Sequence, residues 1–147
     1  MGSVREFIPR RRPRMGEVVV QVTVTNGRDP TRRKQFDALV DTGAYGLILP
    51  LAWKAELGDL ETVDTIDLET ADQRVVEADI HGPVWIRIDG FRRINNEVIF
   101  VEMEPGPQGY QPLVGYTVLE MSNVVVDMKS RRLVARGRYL LKTAAVA

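Results

Sequence analysis

The pattern of apolar and polar positions predicts a chain made mostly of β-strands. Segment 17–24 is β-branched and partly alternating, and segment 34–40 follows it after Asn26-Gly27, a dipeptide typical of hairpin turns. Further strands are predicted, by alternation or by short apolar runs between turn residues, at 63–68, 74–80, 84–88, 96–102, 124–127 and 131–135. Helical pattern is confined to short pieces at 51–57 and 116–121.

The most informative stretch lies where the second predicted strand ends. The apolar run 38–40 stops at Asp41-Thr42-Gly43, and a second apolar run, 47–50, follows at once. A carboxylate between two buried strands lies where water is scarce, which is costly unless the group is hydrogen-bonded or its pKa is shifted. Asp-Thr-Gly is also ordinary turn chemistry. The apolar strands on both sides favour a site of acid–base chemistry.

A second segment repeats this arrangement in weaker form, as an apolar strand end followed by a glycine. Segment 98–101 leads through a polar loop, 104–109, to Leu113-Val114-Gly115, and a short helical piece follows. The second copy has no acid at the corresponding place. Each chain therefore offers one carboxylate of this kind.

Composition narrows the classes of function. A chain of 147 residues suits one domain, and its zero net charge gives no general attraction to nucleic acid or to a membrane. The absence of cysteine and the single histidine, His81, make disulfides, zinc sites and Ser-His-Asp triads hard to build. We interpret His81-Gly82-Pro83 as a turn with a solvent-facing histidine. No stretch is long enough to span a bilayer and the start does not resemble a secretory signal, so a cytoplasmic location is the default expectation.

The first tail of the chain is basic and one internal segment is acidic. We predict a domain over 16–136, with a flexible arginine-rich tail at 1–15 and a C-terminal tail at 137–147. No aromatic residues interleave with the arginines of the first tail, which favours a solvated tail over a nucleic-acid arm. Segment 56–79 is acidic. Its acids are either solvated faces of a hairpin or a device that favours basic peptides or the chain's own arginine tail.

Three motifs in this order resemble the retropepsin-like aspartic proteases, in particular the small single-domain members of bacteria and archaea. They are VDTGA at 40–44, LILP at 47–50 and LVG at 113–115. The resemblance covers roughly residues 16–136. It implies an all-β fold, a small closed β-barrel or sandwich with one short C-terminal helix and a flap hairpin. It also implies a homodimer that hydrolyses peptide bonds in a peptide or protein substrate without a metal or cofactor.

The resemblance also assigns roles to residues by position. Asp41 of two subunits would form a catalytic pair that shares a proton and activates a water molecule, as in aspartic proteases generally. Thr42 and Gly43 would support the active site, Thr42 by a hydrogen bond across the two-fold axis. A hairpin tip would close over the bound peptide as a flap. The residues expected to contact substrate are Ala44, Thr70, Ala71, Asp72, Gln73 and Val114.

Two departures from the family pattern leave a second function open. Many retropepsins have an acid after the Asp-Thr-Gly-Ala stretch and an arginine after the later glycine, but here both positions are tyrosine, Tyr45 and Tyr116. We predict that these two rings pack together as a buried pair, with centroids within about 7 Å. Gln73 stands in the flap tip where glycine is often found. The alternative function is a catalytically weak or inactive module for dimerisation or peptide binding.

Overall fold

A computed structural model describes residues 15–139 of the chain. Segments 1–14 and 140–147, which make up most of the two predicted tails, lie outside the described residues. The strands are β1 Val19–Asn26, β2 Arg33–Val40, β3 Leu47–Pro50, β4 Glu61–Glu69, β5 Val75–Ile88, β6 Ile94–Val101, β7 Leu113–Val114, β8 Val124–Asp127 and β9 Arg132–Ala135. The helices are a 3₁₀ helix, Leu51–Leu57, and α1, Tyr116–Met121.

Seven of these strands form one sheet that closes on itself. The strand order is β1-β2-β7-β3-β6-β5-β4, and β1 pairs with β5 as well. The extra pairing closes six strands into a barrel and leaves β4 outside it, joined to β5 as a long hairpin. Closure removes the free edges that an open sheet would expose. The predicted all-β fold, a small closed barrel with a flap hairpin and one short C-terminal helix, is confirmed.

Side chains alternate along the strands between the interior and the exterior of the barrel. In β1 the buried Val20, Val22 and Val24 alternate with partly exposed polar residues. β3 is buried at all four positions because it lies between β7 and β6 and has apolar neighbours on both faces. Leu49 of β3 belongs to the main core, whereas Ile48 belongs to a second apolar cluster beneath the β4–β5 hairpin.

The predicted hairpin at Asn26-Gly27 is present, and Asn26 does more than turn the chain. Its side chain is 1% exposed and donates hydrogen bonds of 2.8 Å to the carbonyl oxygens of Leu57 and Asp59. Its side-chain oxygen accepts bonds from two backbone N–H groups of the hairpin loop. All four hydrogen-bonding positions of the amide are therefore used. They join the first hairpin to the end of the 3₁₀ helix.

The prediction of a solvent-facing His81 in a turn is wrong. β5 runs without interruption over Val75–Ile88, and it accommodates Gly82-Pro83 as an irregularity in its pairing with β6. Strands β4 and β6 flank this part of β5, so the histidine lies inside the sheet and is 1% exposed. A Gly-Pro dipeptide favours a turn when the segment is considered alone. Here the pairing of β5 with strands on both sides keeps the strand continuous.

The buried histidine has few polar partners. Its Nε2 lies 3.2 Å from the hydroxyl of Thr62, and its ring packs edge to face on Phe100 with centroids 5.4 Å apart. Burial lowers the pKa of His81, and the positive charge of Lys54 lowers it further. The fold therefore favours the neutral imidazole.

Candidate active site

The acid turn is the loop between β2 and β3, and β7 lies between those two strands. Val114 pairs in parallel with Val40 of β2 and antiparallel with Leu47 of β3. The connection 41–46 therefore passes over the end of β7. This arrangement places the acid turn at the end of the sheet, with both of its flanking strands fixed to the same central strand.

Asp41 is held in a defined orientation by its own turn. Its backbone N–H donates to the carbonyl oxygen of Val114 at 2.9 Å, and its Oδ1 accepts a 2.9 Å bond from the N–H of Gly43. A Cβ atom on Gly43 would lie only 3.2 Å from Oδ1, so glycine permits this close approach. Asp41 is half-buried, and Thr42 and Gly43 are exposed. In a single chain the carboxylate is thus less buried than its apolar flanks suggest.

A glycine clamp holds the acid turn against the start of α1. Gly115 donates to the carbonyl oxygen of Gly46 at 2.8 Å, and Tyr116 donates to that of Ala44 at 2.9 Å. A Cβ atom on Gly115 would lie 2.3 Å from the oxygen of Ala44, so only glycine fits between the two segments. Sequence reasoning missed the part played by Gly46, whose signal was a second glycine five residues after the acid.

The two tyrosines, which stand where many retropepsins have an acid and an arginine, pack as predicted. The ring centroids of Tyr45 and Tyr116 are 5.8 Å apart and the ring planes meet at 89°. Such edge-to-face pairs contribute about 0.5–1.5 kcal/mol beyond their buried area. The prediction of ring packing is confirmed, but the pair is not buried, because the residues are 42% and 41% exposed.

The tip of the β4–β5 hairpin is tied by hydrogen bonds. The N–H of Thr70 donates to the carbonyl oxygen of Arg74 at 2.8 Å, and Gln73 has a φ of 64°, the left-handed region that favours glycine. The carboxylate of Asp72 accepts bonds from the Thr70 hydroxyl and, at 2.8 Å, from Arg74 Nε. The Thr70 bond lowers the pKa of Asp72, with a further contribution from Arg74. Ala71 is exposed beside them.

The apolar face of the hairpin lies on the same cluster as the acid turn. Ile66 and Leu68 of β4 pack in the second apolar cluster, together with Ala44 and Leu113. Val114 is fully buried in the main core, and its role in a side-chain pocket stays a prediction. Its half-exposed neighbour Leu113 is the member of β7 on the side of the flap.

The opposite face of the hairpin carries its acids. Asp67 and Glu77 are directly opposite each other across the two strands, and both are exposed. Their face points away from the cluster that contains Ala44, because side chains alternate along a strand. This placement favours the interpretation as a solvated face over a direct role in selecting basic peptides. The arginine tail of the other interpretation lies outside the described residues.

The part of the chain that the structure describes lacks the features of two other classes of site. Across residues 15–139, no three His, Asp or Glu side chains are grouped in a way that could hold a metal ion. The helices in that range are too short to cross a bilayer.

Comparison with known proteins identifies the architecture and then the family. A solved structure of the EIAV protease, complexed with the inhibitor HBY-793, is similar with a TM-score of 0.52 and 19% identity, covering 79% of this chain and 92% of that chain. At this identity the likeness shows a shared retropepsin fold. The sequence model of the family described as aspartyl protease matches residues 20–118, a range that contains the acid turn, the flap hairpin and the glycine clamp. The chain belongs to the retropepsin-like aspartyl protease family. None of the curated proteins compared with it matches.

Proposed function

We propose that the protein is a homodimeric aspartic endopeptidase in which Asp41 of two subunits forms the catalytic pair. The observation that carries the proposal is the single acid turn in each chain. The similar segment 113–115, which pairs with the strand that leads into the acid turn, contains no acid. A pair of carboxylates is what an aspartic-protease mechanism requires. A two-fold axis would supply the second carboxylate from an identical chain.

The chemistry follows from placing two carboxylates close together. They cannot both ionise easily, so the pair shares one proton. The ionised group takes a proton from a water molecule between them, and the protonated group donates a hydrogen bond to the peptide carbonyl. The water attacks the carbonyl carbon, and the departing nitrogen takes up a proton as the C–N bond breaks. The bond from Gly43 to Oδ1 leaves the other oxygen of Asp41 for these steps.

The surrounding residues support this chemistry in the proposed dimer. Thr42, which is exposed in the single chain, bonds across the axis and holds the two acid turns together. Ala44 lines the cleft beside the acid turn, and the tip 70–73 closes over the peptide and excludes water. The apolar face of the flap already shares a cluster with Ala44, which supports this closing direction.

Replacement of Asp41 by asparagine tests the proposal. Asp41→Asn removes the ionisable group but keeps a side-chain oxygen for the bond from Gly43, so folding and dimerisation should be retained. We expect hydrolysis of denatured casein, screened from acid to neutral pH, to be lost. Asp59→Asn, a change at an exposed carboxylate outside the site, should retain full activity. Hydrolysis by the Asp41→Asn protein, or a protein that sediments as a monomer at high concentration, would contradict the assignment.

A peptide-binding module with little turnover is the second candidate, and the tied flap tip is the observation that favours it. The bonds of Asp72 to Thr70 and Arg74 lie within the turn and stiffen the tip itself. A stiff tip that adapts poorly to a bound peptide would slow the closure on which turnover depends. Peptide binding by the unmodified protein, without any product at any pH in the screen, would support this candidate over the endopeptidase.

A further inference from the structure

A second concave surface lies on the outer face of the first hairpin. It is a groove of about 880 Å³. Its floor is formed by residues that alternate with the core residues of β1 and β2, among them Gln21 and Gln35. Loop 106–111 forms one wall, and Trp53 of the 3₁₀ helix lies at one end. None of these residues belongs to the acid turn or to the flap.

The groove leads toward the acid turn. Leu39 lies on its floor, and β2 reaches Asp41 only two residues later. The wall 106–111 continues into β7, whose Leu113 pairs with Leu39. Both boundaries of the groove are therefore chain segments that converge on the acid turn. The end of the groove at Leu39 is thus only two residues from Asp41 along the chain.

The lining of the groove suits a peptide backbone. Four glutamines contribute side-chain amides, each with donors and an acceptor that match backbone C=O and N–H groups. They are Gln21, Gln35, Gln108 and Gln111. Two carboxylates, Glu17 and Asp37, line it as well.

An aromatic group closes the far end of the groove. Trp53 packs edge to face with Tyr110 at 6.0 Å between centroids, and Lys34 Nζ lies 4.5 Å from the centre of the Trp53 ring. The indole is half-buried and fixed by these neighbours, so its remaining surface offers a rigid apolar contact for a side chain.

We propose that this groove binds the part of a polypeptide substrate that lies beyond the bond held over Asp41, in an extended conformation. This inference rests on the proposed peptidase function. The floor from Leu39 to Gln35 is about 13 Å long at about 3.3 Å per residue, which accommodates about four extended residues. Linking these residues to those over the acid turn makes their binding intramolecular, so a longer peptide should bind at least about tenfold more tightly than a short one.

Binding can be tested without turnover. The ¹⁵N–¹H spectrum of the Asp41→Asn protein would be recorded with mixed-sequence pools of six-residue and twelve-residue peptides. A Trp85→Phe change identifies the indole signal of Trp53, and a Gln21→Ala/Gln35→Ala double variant identifies the two floor amides. We expect the twelve-residue pool to shift these signals at concentrations at least about tenfold below those needed by the six-residue pool.

The double variant and a matched amide control decide whether the groove is responsible. Gln21→Ala/Gln35→Ala should remove the advantage of the longer peptides, whereas Asn95→Ala, at an exposed amide outside the groove, should retain it. Equal shifts with both pools, no shift at Trp53, or an unchanged advantage in the double variant would overturn the inference.

The same peptides separate this inference from the proposed function. If the unmodified protein cleaves neither pool but the length-dependent shift at Trp53 persists, the peptidase function fails and the groove stands. If it cleaves both pools equally well and the groove signals do not move, the groove fails and the peptidase function stands.

Discussion

Substitution of the clamp glycine, Gly115→Ala, should damage the site more than the same change at any other glycine in residues 15–139. The added methyl group would lie 2.3 Å from the oxygen of Ala44 and 2.6 Å from the nitrogen of Gly46, both of which are backbone atoms. Ordinary contacts begin at 3.4 Å, so the acid turn and the start of α1 would have to separate by about 1 Å.

The loss in free energy of unfolding follows from the contacts that this separation strains. Overpacking costs about 1–3 kcal/mol. Three backbone hydrogen bonds cross the same gap, from Gly115, Tyr116 and Thr117 to the loop 44–46, with lengths of 2.8, 2.9 and 3.1 Å. Each contributes about 0.5–1.5 kcal/mol, so the total loss should lie between about 2.5 and about 7.5 kcal/mol if all three bonds are lost. The free energy of unfolding of a domain is about 5–15 kcal/mol, so the folded state of the variant should be at most marginally stable.

Urea unfolding at fixed protein concentration measures this loss, with Gly46→Ala as the matched control. A methyl group on Gly46 would lie 3.2 Å from the Thr117 hydroxyl, which can rotate, and at an ordinary contact distance of 3.7 Å from Ile99 Cδ1, so we expect a loss below about 1 kcal/mol. Under conditions where Gly115→Ala is folded, displacement of the acid turn by about 1 Å should lower kcat/KM by about a hundredfold. Equal stability losses in the two variants would refute the clamp.

Three further outcomes are expected. Asn26→Ala removes an amide with four hydrogen bonds and should cost about 2–4 kcal/mol in urea unfolding, whereas Asn95→Ala, at an exposed amide, should cost under about 0.5 kcal/mol. Because burial lowers the pKa of His81, the histidine of the unfolded chain is protonated at a higher pH than that of the folded chain. The free energy of unfolding should therefore keep the contribution of His81 above about pH 6.5 and fall below that pH by up to about 1.4 kcal/mol per pH unit. His81→Gln should remove this part of the pH dependence, and an unchanged slope would contradict it. Asp72→Asn should loosen the flap tip by weakening its bond from Thr70, seen as faster amide hydrogen exchange at 70–74, and unchanged exchange would show that the tip is held by other contacts.

The elements that local patterns encode could be predicted from the sequence. The alternation in β1, the acid turn with its apolar flanks and the polar tip of the β4–β5 hairpin all depend on neighbours along the chain. The packing of Tyr45 on Tyr116 could also be predicted, because the resemblance assigns the two tyrosines to positions where many retropepsins have an acid and an arginine.

Features that depend on closure of the barrel could not be predicted. His81 is buried because two strands distant in sequence pair on either side of β5. Asn26 is buried because the 3₁₀ helix returns over the first hairpin. The groove arises where loop 106–111 meets the outer face of that hairpin, and no local pattern contains both. The carboxylate of Asp41 is only half-buried, although apolar strands flank it on both sides.

The most direct test of the shared catalytic pair is the activity of mixed dimers. Unmodified and Asp41→Asn chains would be combined in varied proportions at constant total concentration, unfolded and refolded together, and assayed on denatured casein. If each active site needs Asp41 from both subunits, activity follows the square of the unmodified fraction, so an equal mixture retains about a quarter of the full rate. An equal mixture that retains about half of the rate would mean that each chain acts alone, and the proposed pair would be contradicted.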